Sequence, residues 1–377
     1  MTPDVPRKES RDAFIPLYQP DLTGNERSYV AECLDTNWIS SKGRFTGLFE
    51  KAFSDFIGCP CTSACNGTAA LRMALAAVGI RPGDEVIVPS LTYVASVNCI
   101  VAAGATPLFA EIEADTWQMD AARIEALVTP RTRAILAVHL YGNACDMPAI
   151  RDVASRRGLC VIEDCAESLG TTLDGRHAGT FGDAAAFSFY GNKTVTTGEG
   201  GMVAARDEAV LRRAAAFKTQ GVSPDRVYWH ESLGFNFRMT NIQAAIGLAQ
   251  MERIRATLER KRALAAGYER RLAGLPLRFA RTRTGVSHSH WMVSAVVDRP
   301  EQQEPLREAL RRRGIETRPF FHPAHTLPMY ARPGFALPIS ERVAASGLNL
   351  PSWPGLSERQ LDRIGSAIRD AFHDDLR

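Results

Sequence analysis

Short apolar runs alternate with amphipathic stretches along this chain from about residue 45. Five runs are almost continuously hydrophobic: "EVIVP" (85–89), "TPLFAEI" (106–112), "AILAVHLYG" (134–142), "LCVIED" (159–164) and "AAAFSFY" (184–190). Strands of a parallel sheet that is covered on both faces have this composition. Between most of them lie helical stretches, such as the one with Leu71, Leu75 and Val78 on one side. The pattern predicts βαβ units and an α/β fold, with a mostly parallel sheet sandwiched between helices.

The pattern changes after residue 240. Residues 240 to about 275 are amphipathic at helical spacing, which predicts one long helix. Beyond it, "HWMVSAVV" and "IETRPFFHP" predict strands, and "PLREALRRRGI" and "SERQLDRIGSAIRDAF" predict helices. We place a domain boundary inside the long helix, so that residues 15–261 form a large domain and residues 262–377 a smaller α+β domain. Residues 1–14 are polar and aperiodic, which predicts a flexible tail.

Composition narrows the class of protein. The 377 residues are 45% hydrophobic and 23% charged, which is typical of a soluble globular protein. A net charge of +3 is too small to indicate a nucleic-acid or membrane partner, and the apolar stretch 99–110 is too short to span a bilayer. The eight cysteines form no Cys-x-x-Cys pair, and no signal-peptide pattern precedes them. We therefore expect a cytoplasmic protein with reduced thiols and no metal.

Polar residues gather where the predicted strands end. In an open α/β sheet, ligands bind beyond the carboxyl ends of the strands. Tyr93 lies just past "IVPS", Asp164 ends "LCVIED", Ser188 lies near the end of "AAAFSFY", and Lys193 follows that strand, while Tyr141 and Gly142 end another. One edge of the sheet therefore gathers an aromatic ring, a carboxylate, a hydroxyl and an amine.

Lys193 and Asp164 each allow two interpretations. In an apolar pocket the pKa of a lysine falls, and its neutral amine can form a Schiff base with an aldehyde; a solvated loop lysine is the alternative. Asp164, at the end of an apolar strand, needs a cationic partner. That partner is either a protonated pyridine nitrogen or a cationic side chain with which Asp164 forms a buried structural salt bridge.

A phosphate site is indicated by "ACNGTAAL" (64–71), where Gly67 and Thr68 begin a predicted helix. Free amides and the helix dipole suit a phosphate there, although a simple N-cap has the same sequence. The Ser188 hydroxyl either contacts that anion or forms a hydrogen bond with a backbone group. His325, in "FFHPAHTLPMY", is either a substrate contact or a loop histidine. An aldehyde for the amine, a pyridinium for the carboxylate, a ring for Tyr93 to stack on and a phosphate together describe pyridoxal 5'-phosphate.

Longer motifs carry a family resemblance. They are "NWISSKG", "CNGTAAL", "PSLTYVAS", "HLYGNACDM", "VIEDCAES", "FSFYGNKTVTTGEGG" and "GFNFRMTNIQAAIGLAQ". With these motifs the chain, from about Ile15 to its end, resembles the DegT/DnrJ/EryC1/StrS family of nucleotide-sugar aminotransferases. The resemblance implies the fold of type I pyridoxal phosphate enzymes, L-glutamate as amino donor and a nucleotide keto-sugar as acceptor.

By position, the resemblance implies two catalytic residues and two further contacts of the ring. Lys193 matches the Schiff-base lysine, which also shuttles a proton as general base and acid. Asp164 matches the residue that keeps the pyridine nitrogen protonated, and Tyr93 the aromatic residue that stacks on the ring. Glu167 occupies a cofactor-binding position where many members have glutamine or histidine, which leaves its hydrogen bond to the cofactor open.

The remaining positions implied by the resemblance concern the phosphate, the partner subunit and the sugar. Gly67, Thr68 and Ser188 match phosphate contacts. Asn236 matches an asparagine that reaches the phosphate from the neighbouring subunit, which implies a homodimer with shared active sites. His325 matches a histidine that lines the sugar pocket.

The motifs "TWQM", "ETRPFFHPAHTLPMY" and "GLNLPSWPGLS" resemble members that aminate C4 of GDP-4-keto-6-deoxymannose. Other acceptors, linked to dTDP or UDP or carrying a 3-keto group, remain alternatives. A pyridoxal phosphate sugar dehydratase is another, although histidine often replaces the lysine there. An NAD-dependent oxidoreductase should show G-x-G-x-x-G after an early strand, which is missing. A non-catalytic regulator should lack Lys193 or Asp164.

Overall fold

The computed structural model describes residues 14–223 and 225–375. Its helices are α1 (Glu26–Asp35), α2 (Arg44–Ile57), α3 (Gly67–Ala77), α4 (Ala95–Ala102), α5 (Ala121–Ile124), α6 (Met147–Arg157), α7 (Glu208–Lys218), α8 (Asn241–Met251), α9 (Ile254–Leu272), α10 (Gln303–Arg312), α11 (Pro338–Ser346) and α12 (Glu358–Asp370). Short 3₁₀ turns cover Glu125–Leu127, Leu140–Gly142, Pro300–Gln302 and Ala324–Thr326, and Ala371–Asp375 is a π-turn. The predicted tail, apart from Phe14, lies outside the described residues.

The strands are β1 (Cys61–Ala64), β2 (Glu85–Pro89), β3 (Thr106–Ala110), β4 (Thr132–Val138), β5 (Cys160–Asp164), β6 (Thr172–Leu173), β7 (Arg176–His177), β8 (Ala184–Ser188), β9 (Gly201–Ala204), β10 (Leu277–Phe279), β11 (Val286–Ser287), β12 (Val293–Val297), β13 (Arg318–Pro319) and β14 (Gly347–Leu350). They form a seven-stranded sheet in the order β1-β9-β8-β5-β4-β2-β3, a four-stranded sheet in the order β10-β12-β14-β13, and a three-stranded sheet in the order β11-β6-β7.

The large sheet is mostly parallel, as its sequence pattern predicts. Strands β3, β2, β4, β5 and β8 pair in parallel, whereas β9 pairs antiparallel with both β8 and β1. Successive side chains enter different cores: Leu136 packs on one face, Ile135 and Ala137 on the other. Since the apolar side chains of β4 point to both faces of the sheet, both faces must be covered. Helix α3 supplies part of it, and its buried alanines let it lie close to the sheet.

The predicted long helix is in fact two helices. Helix α8 ends at Met251 and α9 begins at Ile254, with the backbone of Arg253 outside the helical region. The Arg253 side chain is paired with Asp21, 2.7 Å away. The predicted strand "IETRPFFHP" is only Arg318–Pro319 in the structure, since proline cannot donate to a sheet ladder.

Helix α9 joins two hydrophobic cores. Leu258 packs in the core beneath the large sheet, whereas Leu264 and Tyr268 pack in the core of the four-stranded sheet. Ile15 also packs in that second core and pairs with Ile315. The domain division at residue 262 stays a prediction that agrees with the passage of α9 between the cores. None of the helices in the described part of the chain is both long enough and apolar enough to span a membrane.

Candidate active site

Lys193 lies in the turn that follows β8, with its side chain only 13% exposed. The Tyr18 hydroxyl donates a hydrogen bond of 2.8 Å to its carbonyl. The Lys193 Nζ lies 3.5 Å from Glu167 Oε1 and 3.8 Å from the centre of the Trp291 ring. Burial lowers the pKa of the Lys193 amine, and Glu167 and Asp164 oppose that shift. The structure therefore places a desolvated amine at the sheet edge, as a nucleophile requires.

Asp164 ends β5 as a buried carboxylate. Its Oδ2 accepts a hydrogen bond of 2.7 Å from the Ser96 hydroxyl, and its Oδ1 accepts one of 3.0 Å from the Ala166 amide. Among the described residues, no lysine, arginine or histidine forms an ion pair with it. A buried carboxylate without a countercharge is costly, so this position suits a cationic ligand group such as a protonated pyridine.

Glu167 is buried and held by unusual backbone geometry. Tyr141 has a φ of 55°, a left-handed conformation that is uncommon for a residue other than glycine. In that conformation the Tyr141 amide donates a hydrogen bond of 2.8 Å to Glu167 Oε2. Burial raises the pKa of Glu167, and the neighbouring Lys193 opposes the shift. Local strain of this kind is typical of functional sites.

The "CNGT" turn forms the expected helix start. The Asn66 side chain caps α3 by accepting a hydrogen bond of 2.8 Å from the Ala69 amide. Helix α3 begins at Gly67 and continues with Thr68. A Cβ on Gly67 would lie 2.7 Å from the Cβ of Ser188 and 2.9 Å from its Oγ. The structure thus brings Gly67 and Ser188 together at a helix N-terminus, a cradle suited to a phosphate.

Tyr93 lies just past β2, and its side chain is exposed. Its ring is 5.4 Å from that of Phe321, which stacks on Tyr141 at a further 5.4 Å. The exposed Tyr93 ring therefore joins the aromatic cluster behind Glu167. Its stacking on a cofactor stays a prediction.

His325 is buried, and both of its ring nitrogens have protein partners. Its Nδ1 lies 2.6 Å from the Ser90 Oγ, and its Nε2 lies 3.0 Å from Glu341 Oε1. This chain of hydrogen bonds joins the end of β2 to α11. A contact between His325 and a sugar stays a prediction, and it requires one of these partners to be exchanged.

Asn236 lies in the segment that precedes α8. Its Oδ1 accepts a hydrogen bond of 2.8 Å from Arg238 Nε. The carbonyl of the next residue, Phe237, accepts a hydrogen bond of 2.8 Å from the Cys65 amide, close to the "CNGT" turn of the same chain. The contact of Asn236 with a neighbouring subunit stays a prediction.

His139, Glu163 and Cys165 offer ligand atoms within 4.8 Å of one another, all buried. Glu163 already accepts four hydrogen bonds, from His139 Nε2 and from the amides of residues 179, 181 and 182. The His139 Nδ1 accepts another from the Cys145 amide, 3.1 Å away. Since these lone pairs are in use, the cluster ties β5 to the loop before β8 rather than providing open metal ligands.

Sequence reasoning missed three contacts of this site. Tyr18, Ser96 and Trp291 touch Lys193 or Asp164, but Tyr18 and Trp291 are far from both along the chain. Tyr18 lies in the N-terminal segment, and Trp291 lies just before β12 of the four-stranded sheet. Only Ser96 carried a signal, because it belongs to the "PSLTYVAS" motif beside Tyr93.

A doubly covered parallel sheet with a desolvated lysine and a buried aspartate at its edge defines the class of fold type I pyridoxal phosphate enzymes. The chain belongs to the DegT/DnrJ/EryC1/StrS aminotransferase family, whose model matches residues 20–369. The predicted family, fold class and enzyme class, a pyridoxal-phosphate-dependent sugar aminotransferase, are thereby confirmed.

Curated relatives match almost the whole chain. GDP-perosamine synthase of Vibrio cholerae is 45% identical over 96% of this chain and 100% of its own length. GDP-perosamine synthase of Escherichia coli O157:H7 is 48% identical, over 96% and 99%. Among solved structures, DesV of S. venezuelae is similar with a TM-score of 0.87 and 36% identity, covering 92% of this chain and 94% of its own. The PLP-form of the putative sugar aminotransferase Spr1654 of Streptococcus pneumoniae has a TM-score of 0.91 at 27% identity, over 96% and 99%.

Proposed function

We propose that this protein transfers the amino group of L-glutamate to C4 of GDP-4-keto-6-deoxymannose and so forms GDP-perosamine. The observation that carries the reaction is the largely buried amine of Lys193 beside Glu167, at the same edge as the buried carboxylate of Asp164. The sugar is supported by the two GDP-perosamine synthases that match nearly end to end at 45% and 48% identity.

The residues at the sheet edge fit pyridoxal 5'-phosphate. Asp164 offers a carboxylate to the pyridine nitrogen, and Tyr93 offers a ring face. The start of α3 at Gly67 and Thr68, together with Ser188, offers amides and hydroxyls to the phosphate. When bound, this cofactor supplies an aldehyde that carries the amino group and a ring that accepts electrons from the reacting carbon.

The residues of the site then divide the work of the reaction. Lys193 binds the aldehyde through its neutral amine, which burial makes available. Once free, Lys193 Nζ removes the proton from Cα of glutamate, and in the second half-reaction it delivers a proton to C4 of the sugar. Between these two steps the proton would rest on the cofactor carbon, to which Lys193 delivers it and from which Lys193 takes it again. Glu167 stabilises the ammonium form that Lys193 adopts while it carries the proton, and Asp164 would hold the proton on the ring nitrogen.

The test is amination with ¹⁵N-labelled glutamate and a panel of nucleotide keto-sugars, with products identified by mass. We expect the label on GDP-perosamine from the wild-type protein and no labelled sugar from Lys193→Ala. If dTDP- or UDP-linked ketones, or 3-keto sugars, are labelled and the GDP sugar is not, the acceptor is wrong while the reaction class stands. A product that has lost water and gained no ¹⁵N would identify a dehydratase.

We also propose that the active protein is a homodimer in which Asn236 completes the phosphate site of the neighbouring subunit. The support is the "GFNFRMTN" motif and the position of Asn236 just before α8. Since Phe237 bonds to Cys65 within its own chain, the opposite arrangement, in which Asn236 serves its own site, must be distinguished by experiment.

Mixing two inactive variants distinguishes them. Lys193→Ala removes the amine of its own chain, and Asn236→Ala removes the amide. If Asn236 acts across the interface, each mixed dimer regains one intact site, so random pairing restores about a quarter of all sites. If Asn236 acts within its own chain, no mixture contains an intact site. Recovery no greater than the residual activity of Asn236→Ala, despite proven subunit exchange, would rule out the shared site.

A further inference from the structure

The indole of Trp291 faces the amine of Lys193. The Nζ lies 3.8 Å from the ring centre, and Trp291 itself is only 4% exposed. The only ion-pair partner of this amine among the described residues, Glu167, is 3.5 Å away, long for a hydrogen bond. The aromatic face is therefore a principal neighbour of the amine.

Several bonds fix the indole in this position. Its Nε1 donates a hydrogen bond of 2.7 Å to the carbonyl of Asn192, so the ring is tied to the turn that carries the lysine. The Trp291 carbonyl accepts a hydrogen bond of 3.1 Å from the buried Lys261. A Cβ on Gly142 would lie 2.8 Å from the Trp291 amide, so the backbone of Trp291 packs directly against that glycine. The Tyr141 ring is nearly parallel to the indole, at 13°.

A cation over the face of an indole is attracted by the ring quadrupole, and the attraction grows when water is excluded. In transamination Lys193 alternates between a bond to cofactor and a free amine, which must return to the same place after each half-reaction. We propose that Trp291 is a positioning residue whose indole face receives the Lys193 amine whenever that amine is free, and so keeps it beside Glu167. This inference rests on the proposed role of Lys193.

The direction of the effect follows from the groups around the amine. Burial favours the neutral form, whereas Glu167, Asp164 and the indole favour the ammonium form. Burial lowers the pKa of Lys261, which donates a hydrogen bond to the Trp291 carbonyl, to about 7, and burial also lowers the pKa values of the stacked His288 and His290. Because the indole is one of the groups that favour the ammonium form, removing it should lower the pKa of Lys193.

The experiment measures that pKa directly. The full-length protein, loaded with cofactor and converted by excess glutamate, is trace-labelled with acetic anhydride at a series of pH values. Acetylation of Lys193 is quantified by mass against the exposed Lys51 as internal reference. We expect the Lys193 pKa to fall by about one unit in Trp291→Met, which fills space without a ring, and by about half a unit in Trp291→Phe.

Trp353→Leu is the matched control, since Trp353 is a buried tryptophan in the core of the four-stranded sheet. It should leave the Lys193 pKa unchanged. An unchanged Lys193 pKa in either Trp291 variant that folds would overturn the proposal and leave Trp291 as a packing residue. Borohydride trapping of the cofactor, run in parallel, distinguishes failure of this inference from failure of the proposed function. If the cofactor is trapped on Lys193 but the Lys193 pKa does not change in the Trp291 variants, only this inference fails. If the cofactor is never trapped on Lys193, the proposed function fails.

Discussion

Asp164→Asn separates a structural carboxylate from a cofactor partner. The asparagine can keep both present hydrogen bonds, because its oxygen can accept from the Ala166 amide and its NH₂ can donate to the Ser96 hydroxyl, which also accepts. No ion pair is lost among the described residues. Lys193 attracts the Asp164 charge and Glu167 repels it, so these two effects oppose each other.

The expected magnitudes differ between the two states of the protein. Without cofactor, the free energy of unfolding should change by less than about 1 kcal/mol, since the substitution preserves shape and hydrogen bonds. With cofactor, the variant loses a hydrogen bond between charged groups, which contributes about 1.5–3 kcal/mol. The cofactor should therefore bind about ten- to a hundredfold more weakly. Turnover should fall by at least ~10²-fold, because a neutral amide does not hold the pyridine nitrogen protonated.

The assay is thermal unfolding of both proteins with and without pyridoxal 5'-phosphate, together with cofactor titration and turnover. Cofactor should raise the melting temperature of the wild type more than that of Asp164→Asn, while the cofactor-free curves nearly coincide. Ser96→Ala is the control, since it removes a hydrogen bond but keeps the charge, and it should weaken cofactor binding less. Equal destabilisation of Asp164→Asn in both states, with normal turnover, would refute the reasoning.

Three further predictions follow from single residues. Glu167→Gln should shift the limb of the pH–rate profile that reports Lys193 to lower pH, because the lost carboxylate no longer stabilises the ammonium; an unmoved limb would contradict this. Burial lowers the pKa of Lys261 to about 7, so the unfolded chain binds an extra proton between about pH 7 and 10, and wild-type stability rises with pH there by up to about 1.4 kcal/mol per unit. Denaturant unfolding of Lys261→Met should lack that contribution, and an identical slope would contradict it. Gly67→Ala should weaken cofactor binding by about tenfold or more in a titration, because its Cβ meets the serine at the end of β8, whereas Gly47→Ala, with no atom within 4 Å, should not.

The sequence predicted those parts of the fold that depend on local periodicity. The strands β2, β4 and β5 have apolar centres and are flanked by helical patterns, so their type and their parallel pairing could be inferred. The residues at which helices and strands end could be predicted less well. The predicted strand 134–142 stops at Val138 and turns through the left-handed Tyr141, a conformation that hydrogen bonding to Glu167 supports but composition does not reveal.

The residues of the site likewise include some that the sequence pattern predicts and some that it does not. Asp164 and Ser188 end strands of one sheet and Lys193 lies just past the second of them, and the topology of such a sheet brings strand ends together. Tyr18 and Trp291 reach the site from the N-terminal segment and the small sheet, and no local spacing predicts such long-range contacts. The occupied ring nitrogens of His325 likewise depend on Ser90, 235 residues away, and on Glu341, which lies on the next helix 16 residues away.

The central claim is that Lys193 is the amine that binds the cofactor and carries the transfer. The most direct measurement is borohydride reduction of the protein incubated with pyridoxal 5'-phosphate, followed by digestion and mass analysis of every lysine-containing peptide. The account predicts one cofactor-derived mass increase per chain, on Lys193, and its loss when glutamate is added before reduction. A label on another lysine, or no label on a folded protein, would contradict the account.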